Sequence, residues 1–181
     1  MLAAIDIQET QVDQELERIY LEQHRRVFGA AYKLLGNAED AEDVLQTVFL
    51  RLARRVADPV SMKSVESYLY RAAVNAALDL LRSRRDKTSV SLDQDDVSAN
   101  LAIAFSADPD TGMDLKRWIR QALPKLNPRA AEMFVLRYVE DIDNRQIASM
   151  FQTSQATVAV TLFRTRTQLK KDFKAYMRGS R

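Results

Sequence analysis

Apolar residues fall at helical intervals along most of the chain. Over residues 12–35 they recur at Leu16, Ile19, Tyr20, Val27, Ala30, Ala31 and Leu34, which places them along one side of a helix. Gly36 supplies a stop. Asn37 opens a second helix, with Asp40 three positions on in the manner of a capping box. Its stripe of Ala41, Val44, Leu45, Val48, Phe49, Leu52 and Val56 makes one wide buried face. Asp58-Pro59 ends it, because the residue before a proline avoids helical geometry. A third helix is expected over residues 65–85, with Tyr68 or Leu69, Ala72, Ala73, Ala76, Leu80 and Leu81 inward.

Periodicity then fades. Residues 88–112 are rich in Ser, Asp and Asn and read as a flexible tether, in which the apolar patch from Leu101 to Phe105 fits a docking segment or a brief helix. Helical spacing returns with Asp114 as the expected cap of a helix to residue 122 that turns Leu115, Trp118, Ile119 and Leu123 to one side. Asn127-Pro128 puts proline in the first turn of the next helix, which carries Met133, Phe134, Leu136 and Tyr138. Asp143 caps a short helix over residues 144–151, Gln152-Thr153 turns the chain, and Ser154 caps a long helix to residue 177. That last helix buries Val158, Leu162, Thr165, Leu169 and Phe173. No segment alternates as a strand does. The expected fold is all-α, with two small helical domains, 1–87 and 114–181, joined by a flexible acidic linker over 88–113.

Composition narrows the chemistry. There is no cysteine, which excludes disulfides and thiolate metal sites, and His24 is the single histidine. Carboxylate pairs such as Glu39-Asp40 and Glu42-Asp43 are adjacent in sequence and diverge on a helix, so they make poor acid–base pairs. No cofactor, no metal site and no enzymatic activity are expected. No apolar run reaches the ~20 residues of a membrane span. The acidic, polar start lacks the basic flank of a signal peptide, so a soluble cytoplasmic protein without membrane insertion is expected.

The net charge of +2 hides an asymmetry: −1 over residues 1–87, −6 over 88–114 and +9 over 115–181. A basic block behind an acidic tether fits nucleic-acid contact, and it equally fits a solvated helical surface. The end of the chain separates these readings further. A short helix, a tight turn and a longer helix, with Ile147, Ala148 and Val158 at the joint, is the helix-turn-helix pattern. The second helix carries Gln155 and Thr157 at its start, suited to base edges, and Arg164, Arg166, Lys170, Lys171 and Lys174 further on, suited to phosphates.

Three segments in order resemble one family. LGNAEDAEDVLQTVFLRLARR (35–55) resembles sigma region two. SYLYRAAVNAALDLLRSRR (67–85) resembles the promoter-melting part of that region. LPKLNPRAAEMFVLRYVEDIDNRQIASMFQTSQATVAVTLFRTRTQLKK (123–171) resembles region four. Together they resemble a bacterial RNA polymerase sigma factor of the extracytoplasmic-function group.

The resemblance implies roles residue by residue. Glu42, Asp43, Gln46 and Thr47 would bind the beta-prime clamp helices of core RNA polymerase. Arg71, Asn75, Asp79, Arg82 and Arg85 would meet the minus-ten promoter element, with Arg84 as a further phosphate contact. Asp79 has a structural alternative, pairing with an arginine. The segment from Pro59 to Ser64 would receive an unstacked base. Arg145, Gln155, Thr157, Arg164 and Arg166 would read the minus-thirty-five element. The beta flap and an anti-sigma factor are implied as further partners. The sequence departs from the family in the last helix, where Ala159, Val160 and Thr161 stand in place of the usual Lys-Ser-Arg, and in the turn, where Gln152 replaces a frequent glycine. A stand-alone helix-turn-helix regulator would account for residues 115–181 alone. A sigma-like polymerase adaptor with weakened promoter recognition would account for the missing cations.

Overall fold

A computed structural model describes residues 2–56, 64–87 and 112–179, with side chains over 13–55, 64–84 and 115–178. The base-receiving segment up to residue 63, the linker over 88–111 and its patch from Leu101 to Phe105 lie outside the described residues.

Three helices form the N-terminal unit: α1 (Leu2–Leu35), α2 (Ala38–Val56) and α3 (Val65–Lys87), each packed on the other two. α1 starts ten residues earlier than its apolar stripe suggested, because a helix continues through polar residues when nothing breaks it. It ends at Gly36, whose φ of +67° is the left-handed geometry that glycine tolerates. Asn37 accepts from the backbone amides of Glu39 (2.8 Å) and Asp40 (3.2 Å) to start α2. Asp40 does not complete the box: its carboxylate pairs with Arg84 on α3 instead. The buried face of α3 is also rotated from the expected stripe. Leu69, Ala73, Val74, Ala77, Leu78 and Leu81 are buried, while Tyr68, Ala72, Ala76 and Leu80 are half-buried at its edge.

The C-terminal unit holds α4 (Gly112–Ala122), a 3-10 turn (Leu123–Lys125), α5 (Pro128–Tyr138), α6 (Asn144–Met150) and α7 (Gln155–Gly179). α4 begins at Gly112, so Asp114 lies inside its first turn and is not the cap. Trp118 is core, with its ring 5.0 Å from that of Phe173 on α7. Asn127 caps α5, accepting from the amides of Arg129 and Ala130 with Pro128 in the first turn. Val158, Leu162, Thr165, Leu169 and Phe173 of α7 are all buried.

The two units share one continuous core. The 3-10 turn, α4 and α5 pack against α3. Arg120 of α4 is buried and donates from Nε to the Leu34 carbonyl (2.9 Å), at the C-terminal end of α1. A cation there meets the negative end of the helix dipole. Gly36 makes room for it: a Cβ on that residue would lie 2.6 Å from the Arg120 guanidinium. Burial holds Arg120 below the usual arginine range.

Candidate nucleic-acid and polymerase interfaces

Three surfaces carry the residues singled out by sequence. The first is the outer face of α2. Glu42, Asp43 and Gln46 are exposed and Thr47 is half-buried. The spacing of 43, 46, 47 and 50 sets them on one stripe, and Leu50 extends it with 60% of its surface exposed. Beside it Tyr20, also exposed, rests edge-on against Phe49 (4.9 Å) and stacks on His24 (5.1 Å). Leu50 and Tyr20 read as core by periodicity or went unremarked. Their signal is a wide apolar stripe that one packing partner cannot cover.

The second surface is the face of α3. Arg71, Asn75, Asp79 and Arg82 line one wall of a cleft of about 710 Å³. The opposite wall comes from the C-terminal unit: Pro128, Arg129 and Glu132 of α5, then Met150, Phe151 and Gln152. Arg71 crosses between them. Its Nε donates to Glu132 (2.7 Å), its Nη1 donates to the Met150 carbonyl (2.9 Å), and its guanidinium lies 4.2 Å from the centre of the Phe151 ring. Asp79 pairs with Arg82 at 2.7 Å, the structural role open to it from sequence. The Asn75 side chain makes no hydrogen bond to any described residue. Arg84 is taken by Asp40, so it is not a free phosphate contact here. Arg85 lies in α3, and its side chain is outside the described residues.

Next to the cleft, Glu140 accepts from the Tyr70 hydroxyl (2.9 Å) and pairs with Lys33 (3.2 Å). Burial and the Glu140 charge push the Tyr70 phenol up to about 12. Sequence reasoning missed Glu132 and Glu140. Their signal is weak but physical: AAEMFVLRYVE is mostly apolar, and a carboxylate buried in the helix or just past its end needs a partner from elsewhere.

The third surface is the helix-turn-helix of α6 and α7. Asp143 and Gln146 form a reciprocal capping box on α6. Ile147, Ala148 and Val158 are buried at the joint. α6 ends with Gln152 at φ +50°, Thr153 N–H donating to the Ala148 carbonyl (2.9 Å) and Gln152 N–H to that of Ser149 (3.2 Å). This is the left-handed cap that glycine usually fills. Ser154 accepts from the amide of Thr157 (3.1 Å) and starts α7.

Outward on this motif, Arg145, Gln155, Thr157 and Arg164 are exposed and Arg166 is half-buried. The three arginines have no ion-pair partner among the described residues. Thr157 is partly committed, its hydroxyl lying 2.9 Å from that of Ser154. Between these polar positions the face is apolar: Ala156 and Ala159 are exposed, Val160 is 49% exposed and Phe163 63%. Thr161 turns its hydroxyl back onto the Thr157 carbonyl (2.8 Å). Among the described residues no cluster of metal-ligating side chains occurs, and no helix is long and apolar enough to cross a membrane.

Comparison with known proteins agrees with this division. The model of Sigma-70 region 2 matches residues 19–87, and that of Sigma-70, region 4 matches residues 116–169. The chain is similar to the ECF RNA polymerase sigma factor SigW of Bacillus subtilis, at 24% identity over 158 residues covering 82% of this chain and 83% of the relative. It is 25% identical to the RNA polymerase sigma-H factor of Pseudomonas aeruginosa over 173 residues, 88% of this chain and 86% of the relative. It is 32% identical to the ECF RNA polymerase sigma factor SigE of Mycolicibacterium smegmatis over 149 residues, 80% of this chain and 56% of the relative. Region 2 falls on the three-helix unit and region 4 on the helix-turn-helix unit, so the chain belongs to the extracytoplasmic-function sigma factors, which direct RNA polymerase to promoters.

Proposed function

We propose that the protein acts in the cytoplasm, without catalysing a covalent step, by three contacts divided between its units. The α2 face of Glu42, Asp43, Gln46 and Thr47 docks on the beta-prime clamp helices of core polymerase. Its carboxylates and amide are exposed and have no partner among the described residues, which leaves them available to arginine and asparagine side chains of a partner. The α3 face meets the minus-ten element and helps melt it. Asn75 offers a donor and an acceptor to a base edge. Duplex opening costs unstacking, and binding of the freed bases repays part of that cost. The α6–α7 motif reads the minus-thirty-five duplex in the major groove, with Arg145, Arg164 and Arg166 on phosphates and Gln155 and Thr157 at base edges. The beta flap as a second polymerase contact and an anti-sigma factor as a regulator complete the reading, on the strength of the family.

The observation that carries it is the pairing, in one chain, of a polar stripe on the region 2 unit with an outward helix-turn-helix whose Arg145, Arg164 and Arg166, like that stripe, have no ion-pair partner among the described residues. Run-off transcription from a genomic fragment library, using bacterial core polymerase with and without the protein, tests it. New start sites sharing two upstream motifs are expected, and Asp43→Ala with Gln46→Ala should abolish them through lost core binding. Co-elution with core but no new starts would point to an adaptor, a reading favoured by the apolar Ala159 and Val160. Sequence-specific duplex binding without polymerase dependence would point to a stand-alone regulator.

A further inference from the structure

The outward line of α7 changes character along its length. Opposite the buried Val158, Leu162, Thr165 and Leu169 run Ala156, Val160 and Phe163, spaced by four and three residues on one face. Val160 is 49% exposed and Phe163 63%, and neither belongs to the core. Further on, the same line continues as Thr167, Lys171 and Lys174, all exposed.

The hydroxyls beside the apolar strip are committed to their own helix. Thr161 donates to the Thr157 carbonyl (2.8 Å), Thr167 donates to the Phe163 carbonyl (2.8 Å), and the Thr157 hydroxyl lies 2.9 Å from that of Ser154. Over residues 156–163, about 10 Å of helix, the outward surface is therefore mostly carbon. Cations frame it. Arg164 is adjacent on α7, and Arg145 and Arg166 stand on the same motif, all three without an ion-pair partner among the described residues.

Such a surface fits a partner that is anionic at its edges and apolar between them. The major groove over thymines has that chemistry, with phosphates along both lips and C5 methyl groups on its floor. A purely apolar protein helix would leave the cations unanswered. A G·C pair under the strip would set only polar edges against carbon, stripping them of water without repayment.

We propose that α7 selects thymine. Val160 and Phe163, with the methyl groups of Ala156 and Ala159 beside them, are specificity-determining residues that seat on thymine methyls of the minus-thirty-five element. The proposal rests on the reading of α6–α7 as the minus-thirty-five motif and names what that motif prefers. The strip spans about three base-pair steps at 3.4 Å each, so about two or three adjacent thymines lie under it. The preference belongs to this chain, because the Lys-Ser-Arg usual at 159–161 would put charge and hydroxyl where Ala159, Val160 and Thr161 stand.

5-Methylcytosine separates the methyl group from the rest of the base. Promoters found by run-off transcription supply the duplexes, and equilibrium competition reads holoenzyme binding. Changing a T·A pair of the upstream motif to C·G should weaken binding about tenfold or more at about two or three adjacent positions. 5-Methylcytosine at the same positions should restore about fourfold. Val160→Ala with Phe163→Ala should abolish that restoration. Both side chains are exposed, so thermal melts of variant and parent should coincide. A parent indifferent to methylation at every position, or a folded variant that keeps the restoration, overturns the proposal. So does a variant that binds all three duplexes as the parent does yet fails to initiate, which would assign the strip to a protein partner. Binding and start sites that persist unchanged when the upstream motif is scrambled overturn the minus-thirty-five reading of α6–α7 itself.

Discussion

Replacing Arg145 and Arg164 together with alanine removes two exposed cations that have no ion-pair partner among the described residues. Other arginines are committed to internal contacts: Arg71 to Glu132, Arg82 to Asp79, Arg84 to Asp40 and Arg137 to Asp141. The substitution therefore breaks no internal pair, and alanine suits both helices, so stability should stay within about 0.5 kcal/mol. Each phosphate contact releases counterions and contributes a slope of about 0.9 in log affinity against log salt. Two lost contacts should flatten the slope by about 1.8. Between 50 and 200 mM salt that is a factor of about 12: the deficit of the variant at the lower salt shrinks by this factor at the higher. Equilibrium binding of holoenzyme to duplex promoter, titrated with salt, gives the two lines. Lines of equal slope would show that these arginines do not neutralise phosphates, and the assignment of the α6–α7 face as a phosphate-tracking surface would be withdrawn.

Three further outcomes follow from local geometry. Gln152→Gly relieves a left-handed non-glycine residue at some cost in unfolded-chain entropy, so thermal unfolding should shift up by roughly 0.5–1 kcal/mol, or about 1–4 °C, and a fall would contradict the strain. The Tyr70 phenol sits near 12 in the folded protein and near 10 when unfolded, so the native state holds a proton that the unfolded state has released between those values. Stability should therefore decline more steeply in the parent than in Tyr70→Phe as pH rises from 10 to 12, as read by denaturant titration. Uracil in place of a contacted thymine removes one methyl from the minus-thirty-five duplex. If Val160 and Phe163 cover it, affinity should drop about fourfold, whereas Phe163→Ala should be indifferent to the exchange at its own contact.

Much of this architecture was written locally. Val158, Leu162, Thr165, Leu169 and Phe173 lie inward as their spacing requires, and Asn127, Asp143 and Ser154 cap the helices they precede, because these features depend on neighbours within one turn. The left-handed turn at Gln152 was legible too, from the residue that stands where glycine is usual. Failures came where a distant partner decides. Asp40 looked like a box residue until Arg84, 44 positions away, claimed its carboxylate. The face of α3 turned because α1, α2 and the C-terminal unit all press on it, and a stripe wide enough to serve several partners does not declare which is core. The interdomain ion pairs had no local signature beyond two carboxylates in a mostly apolar segment, Glu132 inside α5 and Glu140 just past its end. Of the α3 residues chosen by resemblance, Arg71, Asn75, Asp79 and Arg82 line one cleft, but Arg71 there is already occupied and Arg84 is paired with Asp40.

The altered recognition helix can be read physically now that its surroundings are known. Ala159 and Val160 are exposed and pack against nothing that would demand apolar residues, and Thr161 uses its hydroxyl on its own helix. The loss of cations is thus not a concession to the core. In the proposed role it changes what α7 would offer the groove: fewer charges at the N-terminal end, where base edges would be met, and charges kept at Arg164, Arg166, Lys170 and Lys171 along the flank. Removing phosphate contacts lowers affinity for every sequence alike, while apolar contacts with base methyls act only at the right one. In the proposed role, a helix altered this way would give up general adhesion to DNA and keep discrimination. If α7 reads the duplex as proposed, the isolated unit should bind promoter DNA weakly and gain affinity when polymerase delivers it.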